Sequence, residues 1–226
     1  YTYAWLYRLW PGPSVVPAAD LAVAVAVALL LMRLERRMTG GPGLTAPIVF
    51  LALGNPAFSR FGGMWVRSQC ETFIALAIAG AMVLLHAATH RPAARPARTW
   101  ALRAGAGLLI GVAAAFKYNA AVYGVAALVA AGAWRAARRR TDAGWLADWV
   151  KDAAGLTAGA ALPLALIAGR FAAAGAWDDL WQATIAYNLL YSGETYDGLG
   201  HLLGYAATVP IQQARVDALW LLGGAG

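Results

Sequence analysis

The chain has 226 residues, of which 61% are hydrophobic and only 13% are charged, and its mean hydropathy is +0.56. An ordinary soluble domain is about 45–50% apolar and about 25% charged, so this composition excludes a soluble globular protein and predicts a polytopic membrane protein. The net charge of +7 does not indicate nucleic-acid binding, because the basic residues stand in short loops beside apolar runs.

The apolar runs predict transmembrane helices, which we take in chain order. They cover residues 15–32, 46–58, 71–88, 104–116, 120–134 and 153–171, and a further run begins near residue 217. Alanine and leucine dominate these runs, which favours helices over the alternating segments of a β-barrel. We therefore predict an all-α, polytopic transmembrane helical bundle with about six or seven spans. Because the chain lacks an initiating methionine and ends in an apolar stretch, we expect one transmembrane domain, residues 1–226, truncated at both ends.

Lys117 interrupts an apolar stretch that runs from residue 104 to residue 133. As one helix this stretch would be about 45 Å long, whereas the hydrocarbon core of a bilayer is about 30 Å thick. A charge at the bilayer centre costs about 2.5–3.5 kcal/mol. Two crossings with a turn at Phe116-Lys117-Tyr118-Asn119 avoid both problems.

The distribution of basic residues also favours two crossings. Three loops carry most of the basic residues: Arg33, Arg36 and Arg37; Arg91, Arg95, Arg98 and Arg103; and Arg135, Arg138, Arg139, Arg140 and Lys151. These loops share one side of the membrane only if the stretch crosses twice, as the positive-inside rule requires. The sequence therefore predicts a hairpin tip at Lys117 on the outer face, with charges collected at the membrane faces.

Two clusters near this outer face suit the binding of a phosphate, a divalent cation or an acceptor. In the first, Lys117 can pair with a lipid phosphate, and Tyr118 and Asn119 add donors. The alternative is a snorkelling lysine beside an interfacial tyrosine. In the second cluster, Arg67 can hold a phosphate, and the Glu71 carboxylate can bind a divalent cation or order an acceptor. The alternative is that Glu71 stands here only because the helix dipole favours a carboxylate at the start of a helix.

Residues 172–201 form the largest segment predicted on the outer side. Trp177, Trp181 and Ile185 recur at i, i+4 and i+8, which is typical of a helix lying on the membrane interface with one aromatic face down. The inner stretch 141–152 is predicted to be a similar surface helix.

The same outer segment contains a third candidate cluster. Tyr187 and Tyr191 are four residues apart, with Asn188 between them, and they can stack on a sugar ring or hold a polyprenyl chain. The alternative is an aromatic belt at the membrane interface. The sequence has no motif for metal binding, nucleotide binding or serine hydrolysis. Its three histidines are not spaced as metal ligands, and it contains neither a Walker loop that binds phosphates nor a G-x-S-x-G element.

Several stretches resemble the multi-span glycosyltransferases of the GT-C fold that use lipid-linked sugars, of the bacterial protein-mannosyltransferase and aminoarabinose-transferase type (glycosyltransferase family 39). The resemblance rests on Tyr1–Trp10, on Glu71 opening a span after Asn55-Pro56, on the span 104–115 running into Phe116-Lys117, and on Tyr187-Asn188-Leu189-Leu190-Tyr191-Ser192.

This resemblance implies an enzyme of the bacterial cytoplasmic membrane that transfers a sugar from a polyprenyl-phosphate donor to a lipid, glycan or protein acceptor on the outer face. It implies that Glu71 organises the acceptor or a divalent cation, and that Lys117 lies near the lipid phosphate. It also implies a general-base carboxylate upstream of Tyr1. A multi-pass transporter or lipid flippase is the alternative, which predicts ionisable residues near mid-bilayer.

Overall fold

The apolar runs form long α-helices in the computed structural model, which describes residues 2–51, 70–90, 96–138, 144–190, 198–201, 203–205 and 207–208. The helices are α1 (Thr2–Leu9), α2 (Val15–Thr39), α3 (Thr45–Val49), α4 (Cys70–His90), α5 (Pro96–Phe116), α6 (Ala121–Arg138), α7 (Gly144–Ala173) and α8 (Trp177–Trp181). Helical turns continue from α8 to residue 190, and the described residues contain no strand. The predicted all-α class is confirmed.

Five of these helices, α2, α4, α5, α6 and α7, are long and apolar enough to cross a membrane. Apolar side chains remain exposed along them, as Leu21, Val25 and Leu29 do at every fourth position of α2. Such a stripe suits contact with lipid hydrocarbon, because exposing an apolar side chain to lipid has no free-energy cost. The chain is therefore a helical, multi-pass membrane protein, as its composition predicts.

Helices α2, α4, α5, α6 and α7 are longer than the spans predicted for them. A proline opens α5 at Pro96, where its missing N–H costs no hydrogen bond, so that helix starts before the apolar run. Helix α2 continues through the arginines of its last turn and ends at Gly40. The φ of Gly40 is 73°, and in this conformation its N–H donates to the Arg36 carbonyl at 3.0 Å. Of the span predicted at 46–58 the described part is helical to residue 51, and the span predicted near 217 lies outside the described residues.

The predicted surface helix at 141–152 and the predicted span at 153–171 are one helix. Helix α7 runs without a break for 30 residues, with Pro163 inside it. The prediction of a separate surface helix is wrong because tryptophans and charges at this end of α7 pack against neighbouring helices. The Trp149 indole donates to the Leu128 carbonyl of α6 at 2.8 Å, and Asp152 is fully buried.

The chain divides into two compact units, Tyr1–Leu166 and Ile167–Gly226. In the first unit, small residues let the helices approach closely. Gly107 of α5 faces the backbone of Leu156 in α7, and Gly159 of α7 faces the backbone of Ala104 in α5, so that a Cβ at either glycine would overlap a carbonyl oxygen. Each glycine belongs to a G-x-x-x-G pattern (Gly107/Gly111 and Gly155/Gly159), the spacing that brings helix backbones together in membranes.

In the second unit, α7 ends in a tight turn at Gly175, whose φ is 67°. The N–H of Ala176 bonds the Phe171 carbonyl at 2.9 Å and that of Gly175 bonds the Ala172 carbonyl at 3.0 Å, which is the Schellman pattern of a helix end. Helix α8 begins directly afterwards, so that a second helical segment follows the spanning helix after one short turn.

Candidate functional site

The stretch that contains Lys117 forms a helical hairpin, as its length predicts. Lys117 closes the last turn of α5 through its N–H to the Ala113 carbonyl at 3.1 Å, and its own backbone is extended. A turn of 3-10 helix over Tyr118–Ala120 then leads into α6, with the Ala120 N–H bonded to the Lys117 carbonyl at 2.8 Å. The prediction of a turn at Lys117 is confirmed.

Glu71 in the first turn of α4 lies beside this hairpin tip. The Lys117 ammonium donates to one carboxylate oxygen of Glu71 at 2.8 Å, although the two residues are 46 positions apart. The Cys70 thiol lies 3.4 Å from the other carboxylate oxygen. Two residues that the sequence singles out separately are thus direct partners at one end of the helix bundle.

Apolar packing beneath the pair holds the two helix ends together. The rings of Phe73 in α4 and Phe116 in α5 stack with centroids 5.8 Å apart and planes 14° apart. Below them, Ile74 and Ala77 of α4 form a buried cluster with Ala113 of α5. An aromatic pair of this kind contributes about 0.5–1.5 kcal/mol beyond its buried area. Hydrophobic contacts between α4 and α5 therefore hold Lys117 and Glu71 near each other.

The Lys117–Glu71 pair itself adds little to stability. Its side chains are 47% and 46% exposed, and exposed ion pairs contribute only about 0.2–1 kcal/mol. The hydrogen bond to Glu71 and the charge of that carboxylate raise the pKa of Lys117, because both favour its ammonium form. A lysine has three N–H donors, and Glu71 accepts one of them. The arrangement is a charged, accessible donor site at a helix end.

A second charged cluster is buried between α5, α6 and α7. Arg103 of α5 and Arg135 of α6 each bond one carboxylate oxygen of Asp152 in α7 at 2.7 Å. All three residues are buried, and Asp148, one turn earlier on α7, lies 3.6 Å from Arg135. Arg103 lies seven residues after the start of α5 and Arg135 three residues before the end of α6, so the cluster is on the side of the bundle where the basic loops are predicted. Asp152 and Asp148 together balance the charges of the two arginines, which is the physical reason that these are tolerated inside the bundle.

The Arg103–Asp152–Arg135 cluster and the Lys117–Glu71 pair lie toward opposite ends of α5. Thirteen residues separate Arg103 from Phe116, which corresponds to about 20 Å along the helix. Sequence reasoning missed Asp152 because it assigned that residue to a surface helix. The available signal was the i, i+4 spacing of Asp148 and Asp152, which puts both carboxylates on one face of α7 just before its glycine pattern.

No protein-family model, curated protein or solved structure matches the chain.

The remaining predicted site residues are distributed over the chain. Tyr118 and Asn119 are exposed in the turn that follows Lys117, next to the Lys117–Glu71 pair. Tyr187 and Asn188 belong to the second unit: Tyr187 is 63% exposed, and the Asn188 amide donates to the Thr184 carbonyl of its own helix at 2.7 Å. The other two predicted residues, Arg67 and Tyr191, lie outside the described residues.

The predicted metal role of Glu71 gains no support from its surroundings. Within the described ranges, no group of three or more His, Cys, Asp and Glu side chains could hold a metal ion. The observed partner of Glu71 is an ammonium group, which competes with a cation for the same oxygens. The divalent cation stays a prediction that depends on residues beyond this pair.

The side of the membrane that Lys117 occupies is open to a direct test. In a Cys70→Ser background, we expect Tyr118→Cys to react with a membrane-impermeant maleimide in intact cells, because Tyr118 is 63% exposed at the hairpin tip. Met38→Cys, 67% exposed at the arginine-rich end of α2, is the matched control and should react only after the membrane is opened. The reverse labelling pattern would overturn the predicted topology.

Proposed function

We propose that this chain belongs to a membrane glycosyltransferase that takes its sugar from a polyprenyl-phosphate donor on the outer face of the bacterial cytoplasmic membrane. The observation that carries the proposal is the Lys117–Glu71 pair, because it combines a phosphate-binding cation and a carboxylate at one helix end. The family resemblance noted in the sequence points to the same chemistry. The proposed acceptor is a lipid, glycan or protein.

The chemistry requires positive charge beside the departing phosphate. An acceptor hydroxyl attacks the anomeric carbon, a new carbon–oxygen bond forms there, and the bond from that carbon to the phosphate oxygen breaks. The acceptor proton passes to a general base, which the resemblance assigns to a carboxylate upstream of Tyr1. Lys117 supplies two further N–H donors to the developing phosphate charge, where preorganised donors have their largest effect on rate.

In this proposal Glu71 holds the Lys117 ammonium in place through its hydrogen bond and thereby directs the remaining donors. The carboxylate also offers an acceptor for a hydroxyl group of the incoming molecule. Exposed apolar side chains close to Lys117 in the sequence, such as Phe116 and Val122, offer the polyprenyl chain an apolar surface while its phosphate meets Lys117. The donor thereby keeps its tail in hydrocarbon and its charged head at the membrane face.

The proposal is tested with the full-length protein in lipid nanodiscs. Radiolabelled undecaprenyl-phosphate sugars are supplied together with membrane lipid, glycan and protein fractions as acceptors. We expect label to move from the donor to one acceptor fraction. Failure with every donor and acceptor, for a protein that is folded, would refute the proposed enzyme.

A transporter or lipid flippase is the second candidate, and one observation favours it. Arg103, Arg135 and Asp152 form a charged cluster buried between three helices, and ionisable groups that pair inside a helix bundle often mark transport pathways. Movement of a fluorescent lipid or of labelled solute across proteoliposomes, without any sugar transfer, would establish this alternative.

A further inference from the structure

The helical segment that follows α7 carries a groove that the proposed transfer reaction does not use. The groove is open, has a volume of about 840 Å³, and is lined by Asp179, Gln182, Ala183, Ala186, Tyr187 and Leu190. Small-ligand sites typically have volumes of about 300–1,000 Å³. Because the groove is open, a molecule of one or two rings would lie along it with one side exposed.

The lining residues share one side of the helical segment, because they recur at three- and four-residue intervals. Alanines at positions 183 and 186 leave room between the longer side chains. The helix widens here into a π turn over Gln182–Ala186, where the Tyr187 N–H reaches the Gln182 carbonyl five residues back. Such wide turns occur frequently at functional sites.

The opposite side of the same segment has a different character. Trp177 and Trp181 are each 50% exposed and Ile185 is 41% exposed, at four-residue intervals that suit contact with the membrane interface. Asn188 follows Tyr187 by about 100° around the helix, and its amide is bonded within the helix. The predicted neighbours Tyr187 and Asn188 are thus separated, and only Tyr187 lines the groove.

The chemistry of the lining selects among ligand classes. A carboxylate, a carboxamide and a phenol line the groove together, and a prenyl or acyl chain would cover these groups without giving them hydrogen bonds. A phosphate would be repelled by Asp179, and the described lining contains no basic residue. A neutral saccharide satisfies all three groups, because its hydroxyls bond Asp179 and Gln182 while its C–H face packs on the Tyr187 ring.

We propose that this groove is a saccharide-binding site for neutral sugar rings. It is a binding function of the second unit and does not depend on the transfer reaction proposed above. Asp179 and Gln182, which sequence reasoning did not select, are its polar contacts, and Tyr187 is its stacking surface.

Saturation-transfer NMR tests the site on the full-length protein in nanodiscs, with methyl mannoside, N-acetylglucosamine and arabinose as probes. We expect binding of at least one probe, with Asp179→Asn and Tyr187→Ala each weakening it by about tenfold, as for loss of a charged or stacking contact. Asp178→Asn is the matched control, since this adjacent acid does not line the groove, and it should leave affinity within about twofold.

Two results would overturn the saccharide site: no probe binds, or Asp179→Asn and Asp178→Asn behave alike. Tyr187→Phe, which keeps the ring, distinguishes lost stacking from misfolding and should retain most of the binding. Saccharide binding without any sugar transfer would refute the proposed enzyme alone. Sugar transfer without saccharide binding in this groove would refute the present proposal alone.

Discussion

Replacing Lys117 with alanine should lower kcat/KM for sugar transfer by about ten- to a hundredfold. The estimate follows from the loss of a hydrogen bond to a charged group, which is worth about 1.5–3 kcal/mol, applied to the transition state. The ion pair that Lys117 makes with Glu71 is half exposed, so its loss should change the free energy of unfolding by no more than about 1 kcal/mol. The activity loss would therefore not come from unfolding.

Lys151 provides the matched control for this experiment, because it is the other lysine of the chain. It is similarly exposed and pairs with Asp148 at 3.3 Å, within one turn of α7. Lys151→Ala should leave kcat/KM within about twofold of the parent protein, since it removes only an exposed i, i+3 pair. Equal effects of Lys117→Ala and Lys151→Ala would show that Lys117 has no special role in transfer.

Replacing Asp152 with alanine should lower the free energy of unfolding by about 3–5 kcal/mol. The substitution removes the carboxylate that Arg103 and Arg135 share, which takes this partner from Arg103 and leaves Arg135 with Asp148 at 3.6 Å. Denaturant unfolding of the detergent-solubilised protein, followed by circular dichroism, measures the change. Asp148 lies one turn away and its side chain is 33% exposed. Asp148→Ala should therefore lower the free energy of unfolding by about 1 kcal/mol or less.

A triple variant separates the cost of an unpaired charge from the cost of lost packing. Replacing Arg103, Asp152 and Arg135 together with leucine removes every charge of the cluster, and similar replacements in other proteins are often neutral or stabilising. We expect the triple variant to be more stable than Asp152→Ala. If Asp152→Ala is no more destabilising than Asp148→Ala, the buried cluster does not stabilise the bundle.

The hairpin at Lys117 could be predicted from the sequence because it follows from two independent constraints. The apolar stretch is too long for one crossing, and the arginines that flank it must share one side of the membrane. Glu71 could likewise be placed at a helix start. The contact between Lys117 and Glu71 could not be predicted, since it depends on how α4 packs against α5 through Phe73 and Phe116.

The burial of Asp152 could not be predicted from the local sequence pattern. The stretch 141–152 has the charges and tryptophans of an interfacial helix, and the basic residues around it fit an inner loop. Asp152 instead reaches partners 49 and 17 residues away, on two other helices, which only the tertiary structure brings together. Tyr187 and Asn188 also lie on different sides of one helix, because adjacent residues are about 100° apart, so grouping them in one cluster overlooked the geometry of a helix.

Binding of undecaprenyl phosphate without its sugar tests the central claim most directly, because it isolates the contact between Lys117 and the lipid phosphate. Native mass spectrometry of the full-length protein released from nanodiscs compares the parent protein, Lys117→Gln and Lys151→Gln. We predict that Lys117→Gln weakens binding by about tenfold or more, while Lys151→Gln leaves it unchanged. Equal binding by all three proteins would contradict the assignment of Lys117 as the phosphate ligand.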